Sequence, residues 1–200
     1  MNTTGGNGSR GSIRGRLDRA GQAIDAIVAE VRSARTNRPD SADRADRDGR
    51  LVRRVDWLRA REAAVRARLR ELDTADRAVR LAELNHGLDE LATELAVASA
   101  QLDVERADSA AAFADAVRAE LAAWDAQIDR LRARVATAAP AALTPVYEQR
   151  SRAGRTLGEF RAASPAAPAA LRAELRQAMA DLDSAVEEAA IHINDPRRST

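Results

Sequence analysis

Phe113, Val117, Leu121, Trp124, Ile128, Leu131, Val135 and Ala138 follow one another at gaps of 4, 4, 3, 4, 3, 4 and 3 residues. On a helix of 3.6 residues per turn those gaps put all eight on a single stripe. The flanks are Arg, Asp, Glu and Ala. A helix of this kind is solvated on most sides and needs a partner along one edge.

The same spacing recurs along the chain. Ile13, Leu17, Ala20, Ile24, Ile27, Val31 and Ala34 alternate gaps of 4 and 3, a coiled-coil seam that predicts a first helix over 12–35. Residues 1–11 are too polar to pack and are expected to be a disordered tail. Gly6, Gly8 and Gly11 match the dinucleotide pattern GxGxxG, but no strand precedes them, so the match carries no function. Residues 36–49 contain Pro39, alternating charges and no apolar residue larger than Ala, and are expected to be a polar linker.

Residues 50–139 form a long helical segment in which the stripe changes phase. Leu51, Val55, Leu58, Val65, Leu69, Leu72 and Val79 make one seam, and Leu84, Leu88, Leu91, Leu95, Ala98 and Leu102 make another. Asn85-His86-Gly87 stands near the change, and Gly is favoured just past a helix end. The pattern therefore allows a hairpin turning at 85–87 or one long helix with a drifting stripe. Residues 50–80 hold ten Arg and five acids, whereas 81–105 hold six acids and no Arg, so antiparallel packing would set opposite charges side by side. A further phase shift after Glu105 leads into the stripe at 113–138, with Asp108 or Ser109 as a candidate cap. Over 144–195, Thr144-Pro145 and Ser164-Pro165 are cap-then-proline starts for two C-terminal helices. The first carries Tyr147, Leu157 and Phe160. The second carries Leu171, Leu175 and Leu182, widened by Met179, Val186 and Ile193 into a stripe that suits two neighbours. Residues 196–200 are a tail.

Aromatic residues make up 2% of the chain and charged residues 32%, and most apolar positions are Ala. Narrow seams between helices fit that composition better than one large core. The expected fold is an all-α, elongated arrangement of antiparallel helical hairpins, or a coiled-coil bundle, of four to six helices.

From Leu121 onward the chain resembles a family of small bacterial coiled-coil proteins, some of them described as stress-response proteins. The matching residues are Leu121, Trp124, Asp125, Ala126, Ile128, Asp129 and Leu131. Tyr147 follows, then Glu159-Phe160-Arg161-Ala162-Ala163-Ser164, then Leu171, Leu175 and Leu182. The stretch from Tyr147 to Phe160 is about a heptad shorter than in that family. The resemblance implies a helical fold and a stress-linked role, and brings no catalytic motif with it.

Composition removes several chemistries. All 32 basic residues are Arg, which excludes Schiff-base and P-loop lysines. The absence of Cys excludes disulfides, thiolate catalysis and cysteine-ligated metals. His86 and His192 are the only histidines and lie far apart, so no metal site and no cofactor is expected. Asp89-Glu90 and Glu187-Glu188 are adjacent carboxylates that a helix points about 100° apart, which reads as solvated surface. No enzyme is expected. A formal net charge of +1 gives no field toward DNA or anionic lipid. No apolar run suits a membrane span and the N-terminus lacks a signal-peptide core, so a cytoplasmic location is expected.

The seam residues Phe113, Val117, Leu121, Trp124, Ile128, Leu131, Val135, Leu171, Leu175 and Leu182 are the expected core or interface. Protein–protein interaction or scaffolding is the expected function, with self-association as a homodimer or with another helical protein as partner, since one thin rod cannot bury every seam. The alternative is nucleic-acid binding, with Arg54, Arg61 and Arg68 as a heptad-spaced row along phosphates. The competing role for that row is to flank the seam and pair with acids on the next helix.

Overall fold

The computed structural model describes residues 5–36, 42–71, 77–135, 140–163 and 169–194. Among the described residues there are six α-helices and no strand: α1 Gly5–Thr36, α2 Ala42–Arg70, α3 Arg77–Arg106, α4 Ala110–Val135, α5 Thr144–Ala163 and α6 Ala169–Asn194. A short 3-10 turn at Pro140–Leu143 precedes α5. The fold is an all-α helical bundle. The chain divides into two compact units, Met1–Leu102 and Asp103–Thr200, rather than one.

In the first unit α1, α2 and α3 share one apolar core. Ile13, Leu17, Ile24, Ile27 and Val31 meet Leu51, Val55, Leu58, Val65 and Leu69, and both meet Leu84, Leu88, Leu91, Leu95, Ala98 and Leu102. Ion pairs fix the directions. Asp25 lies 3.6 Å from Arg59 and Asp18 lies 3.5 Å from Arg66, so α1 and α2 run antiparallel. Glu94 pairs with Arg54 and Glu90 with Arg61, so α2 and α3 are antiparallel too. The opposed charge blocks of 50–80 and 81–105 therefore do lie side by side.

The reversal is not where the glycine pointed. Helix α3 runs unbroken through Asn85-His86-Gly87, and the change of direction falls between Arg70 and Arg77. Gly87 is buried against α2, where an added Cβ would lie 3.3 Å from Val65 Cγ2. It is a close-approach glycine, not a helix-end one. Neither the hairpin at 85–87 nor one continuous helix over 50–139 is present. Val79, placed by its spacing in the seam that starts at Leu51, is 64% exposed near the start of α3. Leu72 lies outside the described residues.

Two further boundaries move. Helix α1 already begins at Gly5, inside the stretch expected to be a tail, because extending a formed helix carries no nucleation cost. Helix α2 begins at Ala42, within the expected linker 36–49. Ala, Arg and Asp at 42–48 sustain a helix without any large apolar residue, so the lack of a stripe there did not imply a loop. Pro39, Ser164-Pro165 and the tail 196–200 lie outside the described residues.

The second unit packs α4, α5 and α6 around a separate set of buried side chains. Phe113, Val117, Leu121, Trp124, Ile128, Leu131 and Val135 are all buried on α4. Val146, Ala153, Leu157 and Phe160 are buried on α5, and Leu175, Ala178, Met179, Leu182, Val186 and Ala189 on α6. The broad α6 stripe does face two neighbours, α4 and α5. Leu171 is only half-buried, one turn before that stripe closes. Tyr147 is 44% exposed; Val146, one residue earlier, takes the core position that opens a 7-4-3 spacing to Ala153, Leu157 and Phe160.

Ser109 supplies the cap of α4. Its Oγ accepts from the amide of Ala112 at 3.1 Å, and its carbonyl accepts from the amide of Phe113 at 3.0 Å. Ser109→Ala should cost about 1 kcal/mol by chemical denaturation, since it orphans one first-turn amide. The glycines offer a second check. At Gly158 an added Cβ meets nothing within 4 Å, so Gly158→Ala should stabilise by about 0.5–1 kcal/mol. Gly87→Leu should destabilise by about 1–3 kcal/mol, because the new side chain must enter the space held by Val65.

Candidate functional site

The heptad row of α2 is built into the bundle rather than presented whole. Arg54 donates to Glu94 Oε2 across 3.4 Å, with its side chain only 8% exposed. Arg61 donates to Glu90, which also lies 3.3 Å from His86 Nε2 one turn earlier on α3. Arg68 differs: it is exposed and has no ion partner among the described residues. The structure thus splits the three arginines, two against α3 and one in solvent. Arg16 extends the same network from α1, donating to Asn85 Oδ1 at 3.3 Å and to Asp89.

In the second unit the polar groups also bind helix to helix. Arg150 makes a two-point bond to Asp125, Nε to Oδ1 at 2.6 Å and Nη2 to Oδ2 at 2.7 Å. This bond raises the Arg150 pKa above its ordinary value, with burial opposing and the Asp125 charge adding to the rise. The fork geometry joins α4 to α5. Arg161 reaches Asp115 at 3.1 Å along the same pair of helices. Phe113 meets Phe160 edge-on with centroids 5.3 Å apart. Arg172 and Arg176 of α6 lie over the Phe113 ring at 4.5 and 5.3 Å.

Spacing alone missed two buried carboxylates. Glu120 and Asp183 are 4% and 5% exposed. Glu120 accepts from Trp124 Nε1 at 3.4 Å, which satisfies the indole N–H inside the core. The signal was available in the i, i+4 spacing of Glu120 and Trp124. Buried Thr93 and Thr156 donate to the carbonyls of Asp89 and Arg152 on their own helices, at 3.0 and 3.2 Å. Such back-bonding is structural.

Thr144, Tyr147, Glu148, Ser151 and Arg155 line a shallow, open groove of about 360 Å³ on α5. Its polar groups all come from the surface of one helix, and nothing from a second element converges on them. Among the described residues no group of three or more His, Asp or Glu is placed to hold a metal ion. Among the same residues no helix is long and apolar enough to cross a membrane.

Exposed large apolar side chains mark what remains. Trp57 on α2 is 45% exposed and Ile191 on α6 is 51% exposed. One turn before Trp57 stands Arg53, exposed and without an ion partner among the described residues. One turn before Ile191 stand Glu187 and Glu188, exposed and likewise unpaired among the described residues. Comparison of the chain with protein-family models, with curated proteins and with solved structures gives no significant match.

Proposed function

We propose that this chain is a non-enzymatic helical protein whose work is protein–protein interaction or scaffolding, in the cytoplasm. One observation carries the reading. Ion pairs join neighbouring helices at Arg54–Glu94, Arg61–Glu90 and Arg150–Asp125, while Trp57 and Ile191 stand on helix faces beside unpaired charges. A charged, unpaired face with an apolar centre is the chemistry of a partner surface. The stress link rests on the resemblance over residues 121–193 alone.

Self-association is part of the reading, but not for the reason the seams suggested. Most of the described seam residues of α1 to α4 and α6 are buried inside their own three-helix units, which leaves little of those seams for a second chain to cover. Cross-linking in the protein's own cells, followed by mass spectrometry, tests the proposal. Recurrent protein partners that survive nuclease treatment are expected. Partners that disappear with nuclease would replace this reading with nucleic-acid binding.

A further inference from the structure

We propose that the Trp57 face of α2 docks on the Ile191 face of α6 in a second copy of this chain. The inference rests on the interaction reading above and names its partner. On α2, Arg53, Trp57, Ala64 and Arg68 fall within a narrow arc, since steps of four, seven and eleven residues return to nearly the same side of a helix. Arg61 lies on the same arc but is held by Glu90. Arg53 and Arg68 are the cations left over. On α6, Glu187 and Glu188 lie one turn before Ile191, one on either side of its stripe, and Ser184 continues the face a turn further back.

The two faces are complementary in three ways. One is basic and the other acidic, and none of Arg53, Glu187 and Glu188 has an ion partner among the described residues. Each centres on a large apolar side chain about half open to solvent. The spacing agrees as well: in a parallel register that sets Trp57 against Ile191, Arg53 arrives between Glu187 and Glu188.

A net charge of +1 also favours a copy of the chain over a polyanion, because the basic face has its acidic counterpart in the same sequence. An interface of a few helical turns is smaller than the standard stable one of roughly 1,600 Å². Association is therefore expected to be weak and salt-sensitive, driven by one aromatic anchor and screened charges.

Sedimentation of the full chain from micromolar to millimolar concentration is the test, with circular dichroism confirming that each variant is folded. Reversible self-association that weakens with salt is expected. Arg53→Glu should weaken it about tenfold or more, Trp57→Ala similarly, and Glu187→Arg with Glu188→Arg likewise. Mixing the Arg53→Glu protein with the Glu187→Arg/Glu188→Arg protein should restore association between the two. A monomer at every concentration overturns the proposal, as does association that the charge reversals leave unchanged or that mixing fails to rescue. Binding of a single-stranded oligonucleotide that Arg53→Glu abolishes would also overturn it, by giving this face to nucleic acid. A monomer that still cross-links to other proteins in cells would sink this inference and leave the interaction reading standing.

Discussion

Trp124→Ala is expected to lower unfolding free energy by about 3–5 kcal/mol, and Trp57→Ala by less than about 0.5 kcal/mol. Both residues are Trp and both lie mid-helix, so the contrast isolates burial. Trp124 is fully enclosed at the centre of the α4 seam, between Leu121 and Ile128, and its indole N–H is taken by Glu120. Its removal takes away on the order of 200 Å² of packed surface in a protein whose stripes are largely Ala and Leu. It also takes one donor from the buried Glu120 carboxylate, so the cost should fall toward the upper end of the range. Trp124→Phe separates the two contributions: most of the volume returns and only the hydrogen bond is lost, for about 1–2 kcal/mol. Thermal melts followed by the α4–α6 unit's own signal would show the loss there. Equal shifts for Trp124→Ala and Trp57→Ala would mean that the core of the second unit is misplaced.

The α4 seam was legible because its evidence is local. Seven large residues at gaps of 3 and 4 place a helix face without any knowledge of what covers it, and all seven are buried. Chain reversal is a different matter. Gly87 carries the same residue type for a helix end and for close packing, and only the approach of Val65 from α2 distinguishes them. The break before Arg77 was signalled more quietly, by Asp73, Thr74 and Asp76, residue types that favour helix starts. Val146 and Tyr147 show a third limit. Spacing from Leu157 and Phe160 admits either as the first core residue of α5, and the larger one is the solvated one. The division into two units was not legible at all, because each phase shift can be absorbed by overwinding as well as by a turn.

Charge pairing was foreseen only as a property of regions, and the particular pairs needed the register. That register makes the α2 arginines separable by experiment. Arg54→Gln and Arg61→Gln should each destabilise the first unit by roughly 2–4 kcal/mol, below or within the range for breaking a buried ion pair, and Arg68→Gln by less than about 0.5 kcal/mol. The ranking follows from exposure. The Arg54 side chain is 8% exposed and Glu94 17%, so removing the guanidinium leaves a carboxylate in a poorly solvated place. Arg61 is more open at 32%, but its partner Glu90 is 14% exposed and loses a guanidinium while His86 stays within 3.3 Å. Arg68 has no partner to strand among the described residues. A second substitution checks the cause: Glu94→Gln in the Arg54→Gln background should recover part of the loss, because the carboxylate that lost its guanidinium then carries no charge. Removing all three arginines also tests the phosphate reading: if the row neutralises phosphates, the slope of log K against log salt should fall by about 0.9 for each arginine removed. Equal and negligible effects at 54, 61 and 68 would show that the α2–α3 ion pairs do not hold the first unit together, and that its stability comes from the apolar core alone.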